Sequence, residues 1–109
     1  MFLMPSRFEP CGLNQMYSLR YGTPPLVRAT GGLADTVIDA SDTQRGNGFV
    51  FGPATPAALL ATISRAVALW RDNPRHWETL QRRGMSADFS WRVPAQRYAN
   101  LYRSLLKIP

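Results

Sequence analysis

Residues 5–37 constrain this chain most, because a short apolar run leads into a turn with one acid and a glycine, and a second short apolar run leads into another glycine turn. Phe2 to Met4 is apolar and predicts a short buried strand. It leads into a turn that contains Glu9 and ends at Gly12, where a helix is expected to begin. Ligands of open α/β sheets bind at the carboxyl ends of strands, and free N–H groups at such a turn attract phosphate. The segment therefore predicts a ligand-binding strand-to-helix turn.

The first half of the chain predicts a helix between two short strands. Apolar residues near helical spacing indicate a helix over residues 12–21, with Leu13, Met16 and Tyr17 on its apolar face. Gly22 is placed to end it. A second short strand centres on residues 26–27, and a glycine turn follows it at residues 30–32. Residues 33–38 fit either a short helix or irregular structure.

The second half predicts a loop, one more strand and three helices. Residues 41–47 are polar, and residues 48–52 form the third strand. Thr55 followed by proline is a helix start, Asn73 caps the next helix, and Gly84 is expected to close that helix. A last helix follows Ser90, at about 91–106, with a proline in its first turn. One apolar stripe and the three tryptophans are expected to pack in the core, at Leu59, Ile63, Val67, Trp70, Trp77 and Trp91.

This order of elements predicts an α/β fold with a small, partial Rossmann-like parallel sheet, followed by three helices. The 109 residues allow one domain at most. Three short strands rarely close both faces of a doubly wound sheet, so residues 1–109 are interpreted as a single partial domain with a tail helix.

Charge and composition narrow the classes of partner. The net charge is +6, nearly all from arginine, but the arginines are dispersed along the chain, which disfavours a nucleic-acid surface. Arg7 and Arg28 could contact phosphates, although ordinary surface roles are commoner. No apolar run is long enough for a signal peptide or a membrane span, and Cys11 is the only cysteine, so a cytoplasmic protein is expected. His76 has no second histidine or cysteine nearby, so no metal site is expected.

Five motifs together resemble bacterial glycogen synthases and plant starch synthases across nearly the whole chain. The motifs are FLMPSRFEPCGL at residues 2–13, YGT at 21–23, PLVR with TGGLADTV at 25–37, GFVF at 48–51, and FSW at 89–91 with the aromatic helix after it. The resemblance implies a retaining glycosyltransferase of the two-Rossmann-domain (GT-B) type. Such enzymes transfer glucose from ADP-glucose, or UDP-glucose in some members, to the non-reducing end of an α-1,4-glucan.

The resemblance also implies a donor site. It assigns Glu9 as the catalytic residue, beside the anomeric carbon, where a fixed negative charge suits an oxocarbenium-like transition state. It assigns the backbone of Cys11, Gly12, Leu13 and Asn14 to the donor phosphate and sugar hydroxyls. Thr30, Gly31 and Gly32 resemble a neighbouring loop that lines the same donor-binding cleft. The implied partners are ADP-glucose or ADP and the glucan acceptor, with no further cofactor.

Two departures from the family pattern limit what these residues can do. Many related glycosyltransferases carry a second glutamate eight positions after the first; here Tyr17 stands there, as is common in glycogen synthases. Complete family members are several times longer, and their catalytic histidine and phosphate-clamping arginine and lysine fall outside this segment. The segment by itself is expected to be inactive, and the choice between ADP- and UDP-glucose stays open.

Two other functions remain open on the sequence. A non-catalytic module could self-associate through an exposed sheet edge and form a homo-oligomer. A basic nucleic-acid binder is suggested only by the net charge and is the weaker alternative.

Overall fold

The computed structural model describes residues 1–106 and contains three strands and five helices within them. In chain order the elements are β1 (Phe2–Met4), α1 (Asn14–Arg20), β2 (Pro25–Arg28), α2 (Gly31–Thr36), β3 (Phe49–Phe51), α3 (Pro56–Asp72), α4 (Pro74–Ser86) and α5 (Arg92–Leu106). The open choice for residues 33–38 resolves as a helix, which begins two residues earlier than expected.

The three strands form one parallel sheet in the order β1-β2-β3. Leu26 of β2 lies opposite Leu3 on one side and Phe49 on the other. Because all strands run the same way, the loops that follow β1, β2 and β3 meet at one edge of the sheet. The predicted α/β fold with a parallel sheet is confirmed.

The core consists of two clusters of buried side chains around the sheet. The first joins Leu26 and Phe49 to helices α3 and α4 through Ala66 and Leu80. The second is formed by Met4, Val27, Leu33 and Val37. Alternate residues of β2 thus point to opposite faces, so this central strand is buried on both.

The predicted starts of α3 and α4 are confirmed, but the predicted end of α4 is wrong. Thr55 accepts a hydrogen bond from the Ala58 N–H, and Asn73 accepts one from the His76 N–H. Gly84 does not close α4, which continues to Ser86. Gly84 is buried against Leu19 instead, so this glycine allows α1 and α4 to pack closely.

Helix α1 buries the opposite face from the one its apolar residues predicted. Leu13 and Tyr17 are 53% and 56% exposed, whereas Gln15 and Leu19 are buried. Ser18 is buried with them and donates a hydrogen bond to the Thr23 carbonyl. Polar side chains can face inward here because backbone carbonyls accept their hydrogen bonds. The helix ends as predicted before Gly22, with hydrogen bonds from the two following N–H groups back to its last turn.

The predicted apolar stripe on α3 and the predicted burial of the tryptophans are only partly correct. Leu59 and Ile63 pack against the core, but the positions buried most deeply are Thr62 and Ala66. Their small side chains let the helix approach the sheet, which turns Val67 and Trp70 toward solvent. Trp77 packs on Phe49 with ring centroids 5.9 Å apart.

Helix α5 extends the molecule beyond the core. It has no buried residue, and Trp91 just before it is 72% exposed, so the predicted packing of this tryptophan in the core is wrong. The dimensions are 54 × 30 × 20 Å. Among residues 1–106, no helix combines the length and hydropathy that crossing a bilayer requires.

Candidate functional site

The turn between β1 and α1 forms the centre of the candidate site. Glu9 lies half-buried on this turn, and Gly12 follows with a backbone φ of +73°, a conformation that favours glycine. Helix α1 then begins after Leu13, whose position as N-cap provides no side-chain hydrogen bond to the first turn. The N–H groups at the start of α1 are therefore left without a capping side chain.

The loop after β2 packs directly against this turn. The Gly32 N–H donates to the Pro10 carbonyl at 3.2 Å. A Cβ atom at Gly31 would overlap the Glu9 carbonyl oxygen, and one at Gly32 would overlap the Cys11 carbonyl oxygen. Only glycine fits between these two backbones, so the two glycines let the predicted loops converge.

The structure thus brings the two predicted stretches together on one surface. Gly32 is buried, and Glu9, Gly12 and Thr30 are half-buried. The remaining predicted residues are exposed: Cys11, Leu13, Asn14 and Gly31. The surface is consequently open to solvent, as one wall of a cleft would be.

No basic side chain among residues 1–106 forms an ion pair with the Glu9 carboxylate. The five ion pairs found within residues 1–106 all lie elsewhere. Arg28 is occupied, because its guanidinium donates to the carbonyls of Ser6, Arg7 and Gly52. These three hydrogen bonds tie together the loops at the carboxyl ends of all three strands. Arg28 therefore supports the edge of the sheet that carries Glu9.

Sequence reasoning missed one polar residue of the site, Gln15. Its side chain is fully buried beneath the turn, and the two hydrogens of its amide nitrogen are shared among three acceptors, the carbonyls of Cys11 and Gly12 and the Thr36 hydroxyl. Its spacing in the sequence could have indicated this role. A residue three or four positions after a turn lies directly beneath that turn once the residues between them form a helix. Gln15 links the β1–α1 turn to α2.

Residues 1–106 contain no group of three His, Cys, Asp or Glu side chains arranged to hold a metal ion. A depression of about 210 Å³ lies at the same edge of the sheet and is lined in part by Pro5, Arg7 and Phe51. Its walls are mostly apolar, and Glu9 is not among them. The groups that the β1–α1 turn itself presents are the Glu9 carboxylate and backbone groups.

A model of the family described as glycosyl transferases group 1 matches residues 1–83, three quarters of the chain. The chain belongs to the group 1 glycosyl transferases. The matched region contains every residue of the candidate site, whereas α5 lies beyond it.

Curated relatives within this family carry the name glycogen synthase. The protein of Alkalilimnicola ehrlichii is 60% identical over 105 residues, which cover 95% of this chain and 22% of the relative. That of an Anaeromyxobacter species is 61% identical over 105 residues, with 96% and 22% covered. The chain spans about a fifth of the length of these relatives and corresponds to their C-terminal portion.

Solved structures show the same fold. The catalytic domain of Starch Synthase IV from Arabidopsis thaliana, bound to ADP and acarbose, matches with a TM-score of 0.87 and 42% identity, covering 95% of this chain and 22% of that one. Sucrose-phosphate synthase from Thermosynechococcus elongatus matches with a TM-score of 0.66 and 32% identity, covering 98% and 25%. The family and the GT-B relationship expected from the sequence motifs are confirmed.

Proposed function

We propose that this chain forms the donor-side part of a glycogen-synthase-type glycosyltransferase. In the complete enzyme the reaction is transfer of glucose from ADP-glucose to the non-reducing end of an α-1,4-glucan. The observation that carries the proposal is the convergence of the Glu9 turn and the glycine loop at residues 30–32 on one sheet edge. The glycogen synthases that resemble the chain, and the starch synthase bound to ADP and acarbose, support this choice of donor and acceptor.

In this proposal Glu9 is the catalytic residue. The bond between the anomeric carbon and the diphosphate breaks, its electron pair leaves with ADP, and positive charge develops on the sugar. The acceptor hydroxyl then bonds to the anomeric carbon and gives up its proton to the released ADP. The Glu9 carboxylate is half-buried and has no ion-pair partner among residues 1–106, and such a carboxylate stabilises that charge more than one already neutralised by a cation. The backbone N–H groups of residues 11–14 and of Gly31 bind the diphosphate and the sugar hydroxyls, whereas the N–H groups of Thr30 and Gly32 already donate to the Arg28 and Pro10 carbonyls and shape the loop that lines the site.

The proposal treats residues 1–109 as a single partial nucleotide-sugar-binding domain in a cytoplasmic enzyme. The 109 residues are expected to bind the donor weakly and to transfer no glucose, because the acceptor side and the remaining phosphate ligands belong to the rest of a full-length synthase. Catalysis also requires donor and acceptor to be held in one geometry, which one wall of a cleft does not provide.

The first experiment is a ¹H–¹⁵N correlation spectrum of the chain titrated with ADP-glucose, ADP and adenosine. We expect shifts confined to residues 11–14 and 30–32, seen with ADP and ADP-glucose but absent with adenosine, because adenosine lacks the diphosphate. A dispersed spectrum that ignores ADP-glucose, or shifts confined to other surfaces, would contradict the proposed donor site.

Exposed surfaces support a second proposal, a non-catalytic self-associating module. The outer edge of β1 has no neighbouring strand within the described chain, and Phe2 and Leu3 are 40% and 43% exposed. The radius of gyration is 16.2 Å, whereas a compact chain of this length would have about 13 Å. Unpaired edges and exposed apolar helix faces favour pairing between copies.

Sedimentation over a hundredfold range of protein concentration distinguishes this second proposal. Self-association predicts an average mass that rises with concentration, and Leu3→Lys should restore the monomer mass because a charge on the edge opposes strand pairing. The matched variant Ser64→Lys, at an exposed polar position on α3, should leave association unchanged. A constant monomer mass for the unmodified chain would contradict self-association.

A further inference from the structure

Gln15 is a buried polar side chain beneath the candidate site, and its amide nitrogen has three hydrogen-bond acceptors around it. Its amide nitrogen lies 3.1 Å from the Cys11 carbonyl oxygen, 2.9 Å from that of Gly12 and 3.1 Å from the Thr36 hydroxyl. The Thr36 hydroxyl in turn donates to the Gly32 carbonyl at 2.8 Å. One glutamine thus connects the two backbone stretches of the site from below.

The oxygen of the same amide has no partner. Gln15 Oε1 is the only buried side-chain polar atom without a hydrogen bond in the part of the chain that the structure describes. It faces Gly12, where an added Cβ atom would lie only 2.6 Å away. Rotating the amide by 180° would not give its oxygen a hydrogen-bond donor, because the oxygen would then face the carbonyl oxygens of Cys11 and Gly12. Leaving the oxygen unpaired costs free energy, but this orientation of the amide lets its nitrogen hydrogen-bond to the carbonyls of the turn.

The geometry of the peptide unit relates the hydrogen bonds of Gln15 to the direction of the N–H groups in the turn. In a trans peptide the C=O and the following N–H point in opposite directions. Because Gln15 draws the Cys11 and Gly12 carbonyls inward, the N–H groups of Gly12 and Leu13 must point outward, away from the helix core. These are backbone groups of the stretch proposed to contact the donor.

We infer that Gln15 is a positioning residue that aims the Gly12 and Leu13 N–H groups at an anionic or hydroxyl-bearing donor. The inference rests on the proposed function for the identity of that donor. The orientation of the two peptide units, however, is a property of the free chain and can be measured without ligand.

The test compares Gln15→Met with Gln81→Met. Methionine approximates the size of glutamine but cannot donate a hydrogen bond. Gln81 is a suitable control because its amide nitrogen donates to the Gly22 carbonyl at 2.8 Å, at the opposite end of α1 from the turn. Residual dipolar couplings of the Gly12 and Leu13 N–H bonds report their orientation, and urea unfolding reports stability separately.

We expect Gln15→Met to change the couplings of Gly12 and Leu13 while those of β2 and α3 stay the same. If the chain binds ADP-glucose, the Kd of this variant should rise about tenfold or more, as expected for losing one to two hydrogen bonds to a preorganised turn. Gln81→Met should lower stability alone and leave both the couplings and the Kd unchanged. Equal behaviour of the two variants would overturn the inference.

A measurement on the unmodified chain covers the case in which Gln15→Met does not fold. Hydrogen exchange of the Gln15 side-chain NH₂ should be slower than that of the exposed Gln44 by a factor of about 100, because its hydrogens are bonded within the fold. Equally fast exchange would overturn the positioning role. If wild-type couplings and exchange agree with the inference but ADP-glucose causes no shifts, the proposed donor fails and the positioning role stands.

Discussion

At the scale of single residues, Asp39 has the densest set of polar contacts outside the candidate site. Its carboxylate accepts two hydrogen bonds from Arg65, at 2.8 and 2.7 Å, and one each from the N–H groups of Ser41 and Val50. Partial burial raises the pKa of Asp39, but the hydrogen bonds from Arg65, Ser41 and Val50 outweigh burial and hold the pKa well below its ordinary value. The ionised Asp39 carboxylate therefore joins its own loop to β3 through Val50 and to α3 through Arg65.

We expect Asp39→Asn to lower the free energy of unfolding at pH 7 by about 1–2 kcal/mol, since these are charge-assisted hydrogen bonds. We expect the loss of free energy of unfolding to lie at the lower end of this range, because the Arg65 side chain is 43% exposed and solvent screens its ion pair with Asp39. A depressed folded pKa contributes stability above the unfolded pKa of about 3.9, and that contribution is lost as pH falls toward the folded pKa. The urea midpoints of the unmodified chain and of Asp39→Asn should thus converge in acid.

The control is Asp72→Asn, which removes an exposed ion pair and should leave the urea midpoint unchanged. A midpoint difference between Asp39→Asn and the unmodified chain that is independent of pH would contradict this account.

Gly12 gives a second prediction at this scale. A side chain there would combine a φ of +73° with a Cβ atom 2.6 Å from Gln15 Oε1. Gly12→Ala should therefore reduce the free energy of unfolding by about 1–2 kcal/mol, measured by urea denaturation. Gly52→Ala is the matched control, because a Cβ atom at Gly52 would meet nothing within 4 Å. Equal midpoints for the two variants would show that the turn relaxes freely.

At the scale of helices and strands, the junction between α3 and α4 depends on one side chain. Asn73 ends α3 through its backbone N–H and starts α4 by accepting from the His76 N–H at 3.1 Å. Both helices contribute to the larger core cluster, so the angle between them affects the burial of Phe49 and Leu80.

Asn73→Ala is expected to reduce the free energy of unfolding by about 1 kcal/mol, the usual cost of losing an N-cap. Thermal or urea unfolding monitored by circular dichroism measures the change. Asn100→Ala removes an asparagine from the exposed surface of α5, where alanine favours the helix, and should cause no loss. A smaller effect at Asn73 than at Asn100 would contradict the capping role.

At the scale of the whole molecule, the described residues form one side of a site and a sheet with an open edge. The chain spans 22% of the length of the glycogen synthases that it resembles. Its exposed surfaces include the residues that flank Glu9, the outer edge of β1 and every residue of α5 except the half-buried Ala99. Catalysis is therefore expected only when further protein supplies the opposite wall of the cleft.

Glucosyl transfer from ADP-glucose to glycogen tests this expectation. The 109 residues alone should show none, whereas replacing the corresponding segment of the Alkalilimnicola ehrlichii synthase with this chain should retain transfer. In that chimera Glu9→Gln should lower kcat about 100-fold or more, as expected for removing an electrostatic group at the reacting centre. Glu78→Gln, at an exposed ion pair of α4, should have no effect. Transfer by the isolated chain would contradict the proposed division of the site, and equal effects of the two substitutions would contradict the role of Glu9.

The sequence determined the order of elements and the turn that carries Glu9, because these depend on local signals, and the alternating order of strands and helices in turn predicted the parallel sheet. Apolar runs, Thr55 and Asn73 as caps, and glycines at fixed offsets act over a few neighbouring residues. Only the tertiary structure decided which faces of α1 and α3 are buried, because that choice depends on the hydrogen bonds and space provided by distant segments. Gln15 is buried since Cys11, Gly12 and Thr36 accept from its amide, and Trp70 is exposed since Thr62 and Ala66 fit more closely against the sheet.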